Sequence, residues 1–188
     1  MHIYQNHRVG IFIDVQNIYH SAKNLYQSRV NFQELLKHLL ARRQLIKAFA
    51  YVVKSETALG EESFFDALEK AGIDLRIKDL QVYAGGAKKG DWDVGLAIDA
   101  VRLAQSLDVI VLVTGDGDFV PLIEYLRLGQ GKQVEVAAFS RTASARIREA
   151  ADTFIEIESI PKMLLKINKR RERGDAGIKK QRPFAREI

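Results

Sequence analysis

Residues 109–123 read VIVLVTGDGDFVPLI. Five consecutive branched apolar residues read as a strand buried on both faces, since a half-exposed strand would alternate apolar with polar. The run stops at a Gly-Asp-Gly-Asp turn, and a helix-like apolar pattern follows at once, with Pro121 tolerated near its start and Gly129 after its end. A doubly buried strand that leads straight into a helix belongs in a parallel sheet covered by helices on both sides. Such a strand is also expected to be central.

The rest of the chain repeats this alternation. RVGIFIDV (8–15), LIKAFAYVV (45–53), IDLRIKDL (73–80), QVEVAAFS (133–140) and TFIEIES (153–159) read as strands, the last at an edge. FQELLKHLLARR (32–43), EESFFDALEKAG (61–72), DWDVGLAIDAVRLAQSL (91–107) and SARIREAAD (144–152) read as helices, Gly72 being a plausible C-cap. VYAGGAKKG (82–90) reads as a glycine and lysine loop, and PKMLLKINKRRER (161–173) as a last amphipathic helix. The expected fold is α/β, a three-layer α/β/α sandwich with a mainly parallel central sheet. In such sheets the functional crevice lies at the carboxyl ends of the strands.

Acids collect at those ends. Asp14 closes the first strand, Asp116 and Asp118 follow the central one, and Asp93 opens the helix that leads into it. They converge if the first and the central strand are neighbours. Four carboxylates in one crevice repel, and a divalent cation is the ordinary neutraliser. The chain has no cysteine, so the ligands are oxygens and the expected ion is Mg²⁺ or Mn²⁺. Acids, a hard cation and a phosphate-bearing substrate together suggest metal-assisted phosphodiester cleavage.

Charge is distributed unevenly. Residues 161–188 hold ten Lys/Arg against three acids, whereas residues 1–160 hold 19 against 21. The expected organisation is a domain over 1–160 followed by a basic amphipathic helix and flexible tail over 161–188. A basic tail suits an anionic partner such as nucleic acid, or serves only as a solubilising terminus. The helix in it could dock on the domain or pair two chains as a homodimer. No apolar run is long enough to span a membrane and no signal pattern opens the chain, so a cytoplasmic protein is expected.

Four segments carry a resemblance: FIDVQN (12–17), KKGDWDVGLAIDA (88–100), TGDGDFVPLI (114–123) and FSRTASARIREAADTFIEI (139–157). In this order they resemble the motifs of NYN domains, particularly the LabA-like branch, within the PIN-like nuclease fold. The resemblance covers roughly residues 8–158. It implies a metal-dependent ribonuclease, or an RNA-binding or regulatory relative with little or no cleavage. The family's acidic residues carry over onto Asp14, Asp93, Asp116 and Asp118, with Asn17 in support; Asp99 also matches the branch.

Each assignment has a plainer competitor. Asp14 could cap the following helix, Asn17 could be that cap instead, and Asp91 suits the positive end of a helix dipole. Asp99 follows Asp93 by six residues, about 600° around a helix and so about 120° off the same face; an ion pair with Arg102 is its alternative. The glycines beside Asp116 and Asp118 allow positive φ and close backbone approach. Asn17, Lys89, Arg141 and Ser144 are the candidates for holding substrate, although Ser144 also suits an N-cap and Lys88 and Lys89 could simply be solvated. Trp92 reads as core or as a lid over the crevice, with base stacking as a further use. The four histidines show no paired spacing. An aspartate-nucleophile phosphatase would want a second acid at position 16, which is Gln16, and no G-x-G-x-x-G opens the first helix.

Overall fold

The computed structural model describes residues 6–54, 61–79, 81–82, 88–89 and 91–166. Six parallel strands form the central sheet: β1 (Arg8–Asp14), β3 (Gln44–Lys54), β4 (Asp74–Asp79), β7 (Val109–Val113), β8 (Gln133–Ala138) and β9 (Thr153–Glu156), in the order β4-β3-β1-β7-β8-β9. β7 lies against β1, pairing Phe12 with Leu112, and against β8, pairing Leu112 with Val136. The apolar run Val109–Val113 is therefore central, and β9 is an edge strand.

Alternation along the strands explains the three layers. Val9, Ile11, Ile13, Val109, Val111 and Val113 point to one face and pack there with helices α1 (Val15–Tyr26), α2 (Phe32–Leu40) and α3 (Glu61–Lys70). Phe12, Ile110 and Leu112 point to the other, against α4 (Asp93–Leu103), α5 (Val120–Glu124) and α6 (Ala145–Ala150). Strand residues of both parities are apolar because both faces are covered. Gly72 adopts φ +82, which ends α3 as its C-cap reading requires.

Three segments differ from the sequence reading. The loop read over 82–90 contains a two-residue strand, β6 (Lys88–Lys89), paired antiparallel with β5 (Gln81–Val82). The last amphipathic helix begins instead as a turn and a strand, β10 (Leu164–Lys166), antiparallel to β2 (Ser28–Val30), which the pattern reading passes over. Ile160 and Met163 are buried in the core beneath it, so tertiary burial and backbone pairing override the helical spacing of residues 161–166. Packed chain thus continues past residue 160. The remainder of the tail, from residue 167, lies outside the described residues, and the helix on which pairing of two chains was expected is replaced at its start.

No helix among the described residues is long and apolar enough to cross a membrane.

Candidate active site

Strand order fans in opposite directions from β1: β3 and β4 lie on one side, β7, β8 and β9 on the other. A crevice opens at such a switch point because the loops leaving the two neighbouring strands diverge. Here the loops are those after Asp14 and after Val113, and hydrogen bonds stitch them together. Asp14 is the N-cap of α1, its Oδ1 accepting from the Asn17 amide at 3.1 Å. Its Oδ2 accepts from the Thr114 hydroxyl at 3.3 Å, and that hydroxyl oxygen accepts from the Asp116 amide at 3.2 Å. Asn17 is therefore not the cap; its side-chain oxygen accepts from the Gly115 amide at 3.0 Å, tying α1 to the turn. Asp116 in turn accepts from the Asp118 amide at 2.9 Å and starts the short 3₁₀ turn Gly117–Phe119.

The glycines of that turn serve packing. Neither Gly115 nor Gly117 has positive φ; a Cβ on Gly115 would lie 3.0 Å from the Ala143 backbone, and one on Gly117 2.9 Å from the Ser144 hydroxyl. The expectation of left-handed glycines gives way to close approach of the 142–144 loop.

From the other sheet face comes the start of α4. Trp92 donates its indole N–H to the Val52 carbonyl at 2.8 Å and leans on Tyr51 at 5.5 Å between ring centroids. A Cβ on Gly95 would meet the indole at 2.6 Å, so only glycine lets the helix sit against it. The anchored indole forms part of the crevice wall and fixes Asp93 as the first residue of α4. Asp14, Asp91, Asp93 and Asp116 all line this crevice of about 450 Å³.

Electrostatics at the site are adverse. Burial pushes the Asp14 carboxyl above its ordinary value, hydrogen bonds from Asn17 and Thr114 pull it back, and the Asp116 charge raises it further. Asp93 is also raised, first by burial and then by the fields of Asp14, Asp116, Asp91 and Asp118. Among the described residues, Lys and Arg form ion pairs with Asp99, Asp108 and Asp152, but with none of these crevice acids.

The remaining candidates separate. Asp118 is exposed and lies outside the crevice lining, though its charge reaches Asp93. Asp99 does not join: it accepts from the Tyr51 hydroxyl at 3.1 Å and pairs with Arg76 at 3.3 Å and Arg102 at 3.7 Å. The helical offset from Asp93 turns it away from the crevice lining, and the pair with Arg102 is the alternative to its reading as a metal ligand. Arg141 is exposed beside Thr142, which lines the crevice. Ser144 precedes α6 without a side-chain cap bond and packs on Gly117. The side chain of Lys89 lies outside the described residues.

The sequence reading passed over Thr114 and the polar face of α1. Thr114 sits in the motif, but its burial and its place between Asp14 and Asp116 come from the pairing of β1 with β7. On α1, polar residues at 16, 17, 20, 21 and 24 alternate with buried Val15, Ile18 and Ala22, which is legible as a second helix face.

The donor chemistry suits a hard divalent cation: oxygen ligands only, negative charge in excess, and partial burial that penalises it. As the side chains stand, no three His, Cys, Asp or Glu among the described residues are gathered closely enough to hold one ion.

Comparison with known proteins follows the same lines. The chain is 26% identical over 164 residues to the low amplitude and bright protein LabA of Synechococcus elongatus, covering 81% of this chain and 85% of that protein. It is 25% identical over 156 residues to an uncharacterized protein of Methanocaldococcus jannaschii, of which it spans 55%. A crystal structure of a protein of unknown function from Vibrio parahaemolyticus superposes with a TM-score of 0.79 at 29% identity, over 88% of this chain and all of that one. Residues 8–158 match the NYN domain, the stretch that contains every strand of the central sheet and every acid of the crevice, and the chain belongs to that family.

Proposed function

We propose that the protein is a divalent-metal-dependent ribonuclease whose crevice at the β1/β7 switch point hydrolyses RNA phosphodiester bonds. The observation that carries this reading is the set of crevice carboxylates, Asp14, Asp93 and Asp116, partly buried and without a basic partner among the described residues. A surface that only bound a polyanion would do better without them, because each repels phosphate. Membership of the NYN family, a PIN-like nuclease family, supports the same chemistry.

Asp14, Asp93 and Asp116 would hold the ion by drawing in around it from their present separation, with Asp118 at the rim. Bound there, Mg²⁺ or Mn²⁺ supplies neutralisation of the phosphate and acidification of a water. The chain's own residues do the positioning. Thr114 fixes Asp14 and Asp116 relative to each other, and Asn17 holds the Gly115 amide so that the turn cannot swing away from α1. The wall built on Trp92 keeps Asp93 at the mouth of the crevice. Lys89 and Arg141 are placed in sequence beside the crevice residues Asp91 and Thr142, where a cation would meet an RNA backbone.

The test is a cleavage assay on mixed single-stranded and structured RNAs with Mg²⁺, Mn²⁺ or EDTA. Wild type should cleave with metal and stop in EDTA, and Asp116→Asn should lose at least about 100-fold while still binding RNA. Absence of cleavage across all RNAs would move the assignment to an RNA-binding or regulatory module. The basic tail supports RNA in either case: deleting residues 169–188 should weaken RNA binding and flatten its salt dependence, leaving metal binding unchanged.

A further inference from the structure

Helix α1 leaves the acidic cluster directly from Asp14, and beside Asn17 and Ser21, which bond Gly115 and Thr142, its polar face carries a row of residues without a structural task. Val15, Ile18 and Ala22 are buried in the core, whereas Gln16, His20 and Asn24 are exposed, and all three line the crevice. Spaced four residues apart, they stand nearly above one another, about 6 Å between neighbours and about 12 Å from end to end. Among the described residues none of the three side chains has a hydrogen-bond or ion-pair partner; the His20 ring meets only Tyr19, edge-on at 5.6 Å.

The chemistry of this row selects its ligand. A helix face built to grip phosphates would carry Lys or Arg, but two carboxamides and an imidazole offer hydrogen-bonding donors and acceptors in their place. Those groups match the edges of bases and the ribose 2′-hydroxyl. The row begins beside the carboxylates and faces a wall that includes Trp92 from the other side of the sheet. The Watson–Crick edges are open to such a row only in an unpaired strand, since a duplex uses them in pairing and its deep groove excludes side chains.

We infer that Gln16, His20 and Asn24 form a base- and ribose-reading subsite that takes consecutive nucleotides of a single-stranded RNA running from the acidic cluster along α1. The inference rests on the ribonuclease reading for the placement of the scissile phosphate, and it assigns to α1 the sequence preference of that site.

The experiment measures binding of four single-stranded RNA hexamers, rA6, rC6, rG6 and rU6, by fluorescence anisotropy in Mg²⁺. The protein is the full chain carrying Asp116→Asn, so that cleavage cannot interfere, with Gln16→Ala, His20→Ala or Asn24→Ala added singly. Alanine favours the helix and these side chains have no partners to lose, so folding is expected to persist, checked by circular dichroism. The expected result is an unequal loss, with the affinity ratio between the best and worst hexamer changing at least about fivefold. The salt dependence should stay the same in Gln16→Ala and Asn24→Ala, which remove no charge. Equal losses on all four hexamers, no change, or no binding by the parent would each overturn the subsite. Cleavage of mixed RNAs by wild type is scored separately; a protein that cleaves but shows no change in preference sinks the subsite alone, and one that never cleaves sinks the ribonuclease reading.

Discussion

The two ends of the central sheet treat their acids in opposite ways. Towards the amino ends the acids have basic partners: Asp74, the first residue of β4, pairs with Lys47, and three others pair with arginines. Asp108, just before β7, takes two side-chain hydrogen bonds from Arg8, at 2.8 and 3.1 Å. Glu135 in β8 is buried and holds Arg43 bidentately at 2.7 and 2.9 Å, while Arg43 also donates to the Leu39 and Leu40 carbonyls. Asp152 before β9 pairs with Arg127 at 2.7 Å. At the carboxyl ends Asp14, Asp93 and Asp116 share one crevice, where hydroxyl and amide groups hold Asp14 and Asp116 instead. Pairing makes the amino end a fastening; its absence leaves the other end with charge that a ligand can satisfy. The same residue type is paired with a base at one end and left without one at the other.

Substitutions can break this contrast. The largest effect is expected at the amino end: Arg43→Ala leaves Glu135 buried without its partner and should cost about 3–5 kcal/mol in urea unfolding. Arg43→Met combined with Glu135→Leu should recover most of that loss, because the burial penalty disappears with the charges. Thr114→Val removes one hydrogen bond to Asp14 and leaves the Asp116 amide short of an acceptor. It should cost about 1–3 kcal/mol and weaken Mn²⁺ binding measured by calorimetry.

At the carboxyl end the sign reverses. Asp14→Asn keeps a capping side chain but deletes a repelled, partly buried charge, and should raise the stability of metal-free protein at neutral pH by on the order of 1 kcal/mol. Destabilisation instead would show that the crevice acids are not in conflict.

The smallest effect is in pH dependence, and there the two ends oppose each other. Burial holds Asp14 above its unfolded value, so the native state binds that proton more tightly. Its contribution to stability therefore falls as pH rises from about 4 through the raised value, and stays lower above it. Arg8 holds Asp108 below its ordinary range, so its contribution is present above about pH 4 and is lost as pH falls below. Unfolding curves across pH should flatten on the upper limb in Asp14→Asn and on the acid limb in Asp108→Asn; a shared limb for both would sink the distinction.

Much of this was legible in sequence because it depends on local pattern. VIVLV is apolar at every position since both its faces are covered, and the four acids are each one step from a strand or helix end. Asp99 shows where pattern stops: its motif position groups it with the ligands, but the turn of α4 hands it to Arg76 and Arg102. Arg76 lies in β4, far away in sequence, so nothing local announced that pair. β10 was missed for a related reason. Its residues fit helical spacing, and only the unpaired edge of β2, more than 130 positions earlier, offers the backbone partners that make a strand the better state.

By itself the sequence determined the parallel α/β frame, the placement of acids at strand ends and the family, because periodicity and short motifs are properties of neighbouring residues. Only the tertiary structure decided that β1 and β7 are adjacent, which of the acids meet in one crevice, and that the polar face of α1 forms its wall. Those follow from strand order and helix rotation, which are set by how distant segments bury one another.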